Sequence, residues 1–140
     1  MPRNRSQRGS SMVETALILL TFILMLIGTI DFGQVIYFHQ SLVERARAAA
    51  RYGAINPTDT TGIRNIAVYN SATVPSPPTA VLPSLTTAMI GVQNLGANSP
   101  EARIQVTIST YPINFISPYI ARQFNNRPVI VSMSAESQVP

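Results

Sequence analysis

Hydrophobic and polar positions follow two different periods along the chain, and the change between them divides it. From Ser10 to Ile30 the only charged residue is Glu14, and from Ala16 to Ile27 nearly every side chain is large and apolar. This run of about 21 residues is close to the roughly 20 that a helix needs to cross bilayer hydrocarbon. Beyond it, Phe32, Val35, Ile36, Leu42, Val43, Ala46, Ala49 and Ala50 recur at three- and four-residue intervals, while Gln40, Glu44, Arg47 and Arg51 gather on the opposite side. That is the pattern of an amphipathic helix. A single rod from near Ser11 to Tyr52 is predicted, stopped by Gly53 as a left-handed C-terminal residue and then by Asn56-Pro57. Gly28 and Gly33 are weak points where a bend is expected, each costing about 1 kcal/mol relative to alanine in an exposed helix.

After the rod, Asp59 or Thr60 caps a short second helix through Ile63, Ile66, Ala67 and Tyr69, which is expected to pack on a sheet. Val74-Pro75-Ser76-Pro77-Pro78 and Leu82-Pro83 then predict a stiff, extended connection. The period falls to two in the last third of the chain. Ile104, Val106, Ile108 and Thr110 alternate with Arg103, Gln105, Thr107 and Ser109, and Val129, Val131, Met133 and Ala135 alternate with Ile130, Ser132, Ser134 and Glu136. These are half-buried strands able to pair antiparallel, with a third strand near residues 89–93. Between the two clear strands, residues 111–120 form an apolar and aromatic insertion punctuated by Pro112 and Pro118. It reads first as a plug that covers the sheet and second as a subunit contact.

The predicted fold class is therefore α+β: a long N-terminal helix, half transmembrane and half amphipathic, then a small domain with a short helix and an antiparallel sheet of two or three strands. Residues 1–9 form a basic leader, 10–30 the transmembrane helix, 31–53 its amphipathic continuation and 54–140 the small extracytoplasmic α+β domain.

Charge orients this arrangement. The net charge of +4 comes from ten arginines and no lysine, and Arg3, Arg5 and Arg8 precede the apolar run. The positive-inside bias leaves the N-terminus in the cytoplasm and sends the domain outward. Asp31, directly after the run, reads as a solvated charge at its outer boundary. Without residues 1–9 the chain carries seven arginines against six acids, a near balance that argues against a nucleic-acid surface. An ordinary signal peptide would need small residues beyond its apolar core, and this run passes instead into the bulky Asp31-Phe32-Gly33-Gln34-Val35-Ile36-Tyr37-Phe38. Disulfides are excluded by the absence of cysteine. With a single histidine, His39, and no glycine-rich phosphate loop, the chain is expected to have no catalytic site, metal site or cofactor.

Glu14 is the residue that needs an explanation. An ionised side chain in bilayer hydrocarbon costs roughly 2.5 to 3.5 kcal/mol on insertion scales. It either snorkels to the cytoplasmic headgroups or serves a purpose there, and its position supplies one. A cut between Gly9 and Ser10 makes Glu14 the fifth residue of the new chain. That spacing resembles the type IV prepilin pattern, which implies a membrane peptidase cutting after the glycine and a new N-terminal amine meeting the fifth-place glutamate of a neighbouring subunit.

Four segments in order extend the likeness: Arg8-Gly9-Ser10-Ser11-Met12-Val13-Glu14, Ile30-Asp31-Phe32-Gly33, Ala46-Arg47-Ala48-Ala49-Ala50-Arg51-Tyr52-Gly53 and Val106-Thr107-Ile108-Ser109-Thr110-Tyr111-Pro112. Together they resemble the TadE-like pseudopilins of the tight-adherence (Tad) pilus system. One departure is Thr15, where the resembling proteins usually carry an aromatic residue. The resemblance implies a minor component of pilus assembly and cell adhesion. Its expected partners are the inner membrane, a prepilin peptidase acting at Gly9 and Ser10, and other pilins and assembly machinery, with no nucleic acid. It implies a single-pass bacterial inner-membrane protein with a periplasmic or extracellular domain. Two competing readings are a membrane-anchored adhesin or binding module with the helix as a simple tether, and a secreted domain released by ordinary signal cleavage.

Overall fold

A computed structural model of the chain describes residues 5–96, 101–113, 115–116 and 128–135, with side chains from residue 10 onward. Helix α1 spans Arg5–Ile55 without interruption, about 76 Å at 1.5 Å per residue. It starts earlier and ends later than the apolar pattern alone suggests, and it continues through Gly28 and Gly33. Three threonines within the apolar half return their hydroxyls to the carbonyl four residues back: Thr15 to Ser11 at 2.8 Å, Thr21 to Leu17 at 2.9 Å and Thr29 to Met25 at 2.9 Å. In so apolar a stretch a hydroxyl needs an internal partner, and these three find one within one turn.

The helix stops because Pro57 disfavours helical geometry at Asn56, whose N–H closes the last turn on the Tyr52 carbonyl at 2.9 Å. Gly53 is not the left-handed stop that the local pattern predicts. It is helical and buried, and a Cβ built on it would lie 2.9 Å from both Ile104 Cγ2 and Ile63 Cδ1. Its small size is required by tertiary approach rather than by a turn.

Helix α2 spans Thr60–Tyr69. Asp59 caps it as predicted, its Oδ1 accepting the Gly62 N–H at 2.8 Å while its Oδ2 accepts the Tyr52 hydroxyl at 2.9 Å. Asn70 ends it in the left-handed region at φ 58° and accepts Arg45 Nη1 on its side-chain oxygen at 2.9 Å. Ile63, Ala67 and Val68 are buried toward α1 and the sheet. The proline-rich connection has no helix or strand, as expected. It is held to the domain by the Val81 N–H on the Val68 carbonyl at 2.8 Å and by the buried side chains of Leu82 and Leu85.

A short 3-10 turn, Thr87–Met89, leads into strand β1, Ile90–Leu95, followed by β2, Arg103–Ile108, and β3, Val129–Ser134. The third strand expected near residues 89–93 is therefore present, shifted toward the C-terminus. The sheet is antiparallel in the order β1-β2-β3, with β2 central. Its register aligns Ile90, Ile108 and Val129 across one row and Val92, Val106 and Val131 across the next. Together with Ile104 and Met133 these side chains form the face covered by α1 and α2. The opposite face carries Gln93, Gln105, Thr107 and Ser132. Thr110, expected in the strand, lies beyond it with φ 59° and is exposed.

Two layers result, helices on one face of a three-stranded sheet. The C-terminal half of α1 supplies Leu42, Ala46, Ala49 and Ala50 to the core, and its N-terminal half extends away from the domain with its large side chains exposed.

Candidate assembly and processing segment

The predicted site residues lie at the far end of α1 from the domain. Gly9 and Ser10 fall in the first turns of the helix, and Glu14 stands one turn further on. The helical period brings Ser10 and Glu14 to one face, about 6 Å apart along the axis. Glu14 is exposed, among the exposed apolar side chains of Met12, Val13, Leu17 and Ile18, and makes no hydrogen bond or ion pair among the described residues. The helix around it, Ser10–Ile55, is long and apolar enough to cross a membrane, with a mean hydropathy of 2.3 over its most apolar window. A carboxyl group in this setting either reaches the headgroups or meets a cation supplied by another molecule.

The outer end of the apolar run departs from expectation. Asp31 is 0 % exposed, not solvated, and its Oδ1 accepts the Ile116 N–H at 2.9 Å. The segment that reaches it is the Tyr-Pro insertion, which folds back along α1 as a strap. Tyr111 and Ile113 are buried, the Tyr111 ring lies 5.6 Å from that of Phe38, and its hydroxyl donates to the Pro83 carbonyl at 2.8 Å. Burial, then the neighbouring Tyr37, holds the Tyr111 phenol above its ordinary titration range. The insertion thus packs into the core through Tyr111 and Ile113, and it also runs along the helix. Asn114 and residues 117–120 of it lie outside the described residues.

Between strap and helix lies a cleft of about 340 Å³ lined by Gln34, Tyr37, Phe38, Pro83, Ser84, Tyr111 and Pro112. Gln34 Oε1 is buried beside it with no hydrogen-bond partner among the described residues. Among the described residues there is no group of three or more His, Asp or Glu side chains able to hold a metal ion, and His39 is exposed.

Sequence reasoning missed the role of Asp31 and the part of the strap that covers it. One signal was available: Asp31 precedes Leu42 by eleven residues, just over three whole turns, so both belong to one face. Phe32 and Ile36, which the pattern assigned to the domain-facing stripe, are exposed instead.

A family model described as TadE-like protein matches residues 9–51. Over most of its long helix the chain is similar to TadE-like proteins. The TadE-like segment opens on Gly9, takes in Glu14 and Asp31, includes most of the stripe that packs on the domain, and stops before α2. No curated protein and no solved structure matches the chain significantly.

Proposed function

We propose that the protein is a minor pilin, or pseudopilin, that takes part in assembling a Tad-type pilus. In this reading α1 anchors it in the bacterial inner membrane with Arg3, Arg5 and Arg8 on the cytoplasmic side. A prepilin peptidase removes residues 1–9, and the domain stands on the far side of the membrane. The chain has no catalytic role of its own.

The observation that carries this reading is Glu14. It is an acid without a partner among the described residues, set in a lipid-length apolar helix five places after a glycine, within the TadE-like segment. Cleavage creates an ammonium group on Ser10. Opposite unit charges 4 Å apart attract by about 1 kcal/mol in water and about 4 kcal/mol at an effective dielectric constant of 20, so a pairing that is weak in solution becomes strong between packed helices. The amine of one subunit and Glu14 of the next then set the axial register of the assembly. The Gly9–Ser10 bond lies in helical backbone, so hydrolysis requires the first turns to unwind. Glycine lowers that cost by about 1 kcal/mol relative to alanine.

Mass spectrometry of the purified protein tests the processing step. Ser10 is the expected N-terminus, and an intact Met1 or a cut beyond Ile27 would contradict the proposal. Glu14→Ala is expected to leave the protein in the membrane fraction while reducing its incorporation into assembled material. Loss of insertion in that variant would mean that Glu14 serves the span itself rather than contact between subunits.

A further inference from the structure

We propose that Ile116, at the exposed tip of the described strap, rests in the outer interface of the lipid bilayer, so that the folded domain touches the membrane directly and is not merely tethered above it. The inference rests on the reading of α1 as a membrane span and adds a second lipid contact about 85 residues further along the chain.

Height along α1 carries the first part. A helix crosses the roughly 30 Å of hydrocarbon in about 20 residues, so a span opening at Ser10 ends near Ile30 and puts Asp31 at the boundary. The 2.9 Å hydrogen bond from Ile116 to Asp31 fixes the strap backbone at that same height. What the strap presents there is apolar: Ile116 is 55 % exposed, beside a helix whose Phe32 is 65 % exposed. One exposed aliphatic residue needs no explanation. Exposed apolar side chains from two elements at the level where lipid begins have a ready occupant in the acyl–headgroup boundary.

Burial of Asp31 carries the second part. A carboxyl group on the lipid-facing surface at this depth is unfavourable, and here it is covered completely and given a backbone N–H. The cover works only if the strap itself occupies the interface. About 9 Å higher along the helix axis, at headgroup level, stands the exposed ring of Tyr37, a residue type enriched at membrane–water boundaries.

The chain contains no tryptophan, so Ile116→Trp provides a unique fluorophore in the full-length protein. The variant is reconstituted in phosphatidylcholine–phosphatidylglycerol vesicles carrying lipids brominated either near the headgroup or near the chain ends. Leu20→Trp serves as the in-span control. Leu95→Trp, next to the Asn94 that bonds the Pro57 carbonyl beyond the far end of α1, is the control away from the membrane. The expected result is at least twofold quenching of the strap indole by the shallow quencher, of the in-span indole by the deep one, and of the distal indole by neither. Quenching of the in-span indole without quenching of the strap indole would overturn the proposal and leave the membrane span standing. Blue-shifted emission from the strap indole that ignores both quenchers would place protein, such as a second copy, over the tip and overturn it equally. An unquenched in-span indole would remove the span and this inference with it.

Discussion

The two halves of α1 share one backbone and are both apolar, yet they are built from opposite kinds of side chain. Between Met12 and Leu26 the large residues are turned outward, exposed by 43 % to 76 %. Between Leu42 and Gly53 the buried positions are mostly alanine and glycine. In the proposed membrane setting the first half meets a solvent that is itself apolar, so bulk costs nothing and no partner within the chain is needed. In the second half, α2 and β2 must come close, and every methyl group has to fit among neighbours already in contact. Side-chain volume, more than hydropathy, separates a helix face made for lipid from one made for protein.

The sharpest way to break this comparison is to open a hole in the tight half. Ile104 is almost fully buried against Gly53, and Ile104→Ala is expected to cost about 2 to 5 kcal/mol. In denaturant titration of the detergent-solubilised protein, the domain should unfold earlier while the apolar half keeps its helical circular dichroism. A simultaneous loss of both would mean that the halves depend on one another. Overfilling comes next. Gly53→Val drives a branched side chain into Ile63 and Ile104 and is expected to cost about 1 to 3 kcal/mol. Gly28→Val meets nothing within 4 Å and should leave the domain's unfolding midpoint unchanged, so equal shifts for the two would erase the distinction.

The smallest effect is electrostatic and lies where the tight half ends. The Gly62 N–H, then the Tyr52 hydroxyl, hold the Asp59 carboxyl below its ordinary value of 3.8. A depressed carboxyl stabilises the fold above its unfolded pKa, and that stabilisation is lost as pH falls through the lower folded value. Tyr52 has the opposite sign. Its phenol is raised above 10.0, first by the hydrogen bond to Asp59, so its contribution is present below that pH and lost as pH rises through the folded value. Thermal unfolding followed from about pH 6 to about pH 2 should show an acid loss that Asp59→Asn flattens. An unchanged acid limb would mean that the cap does not titrate as its contacts require.

Much of the fold was legible because it is local. The period-two rows of β2 and β3, the Asp59 cap and the length of the apolar run depend on residues a few positions apart, and the structure follows them closely. What escaped depends on distance. Gly53 satisfies a local rule for a helix end, but its neighbours Ile63 and Ile104 come from other elements, and their approach decides what it does. Asp31 looks like a boundary charge until a segment 85 residues later arrives to cover it. Phe32 and Ile36 fit a helical stripe as well as their neighbours do, and the seating of the strap selects Asp31 and Phe38 in their place. For Glu14 the situation is reversed. Its proposed meaning rests on spacing alone, because the partner proposed for it belongs to another molecule.

The continuity of α1 from Arg5 to Ile55 has a consequence for geometry. The apolar half and the domain turn as one body, so the compass bearing of the domain around the helix axis is fixed by residue count alone. Each residue inserted between them would swing the head by about 100° and raise it by about 1.5 Å. In the proposed assembly, a neighbour that grips the apolar half would thereby dictate which side of the head faces the next subunit.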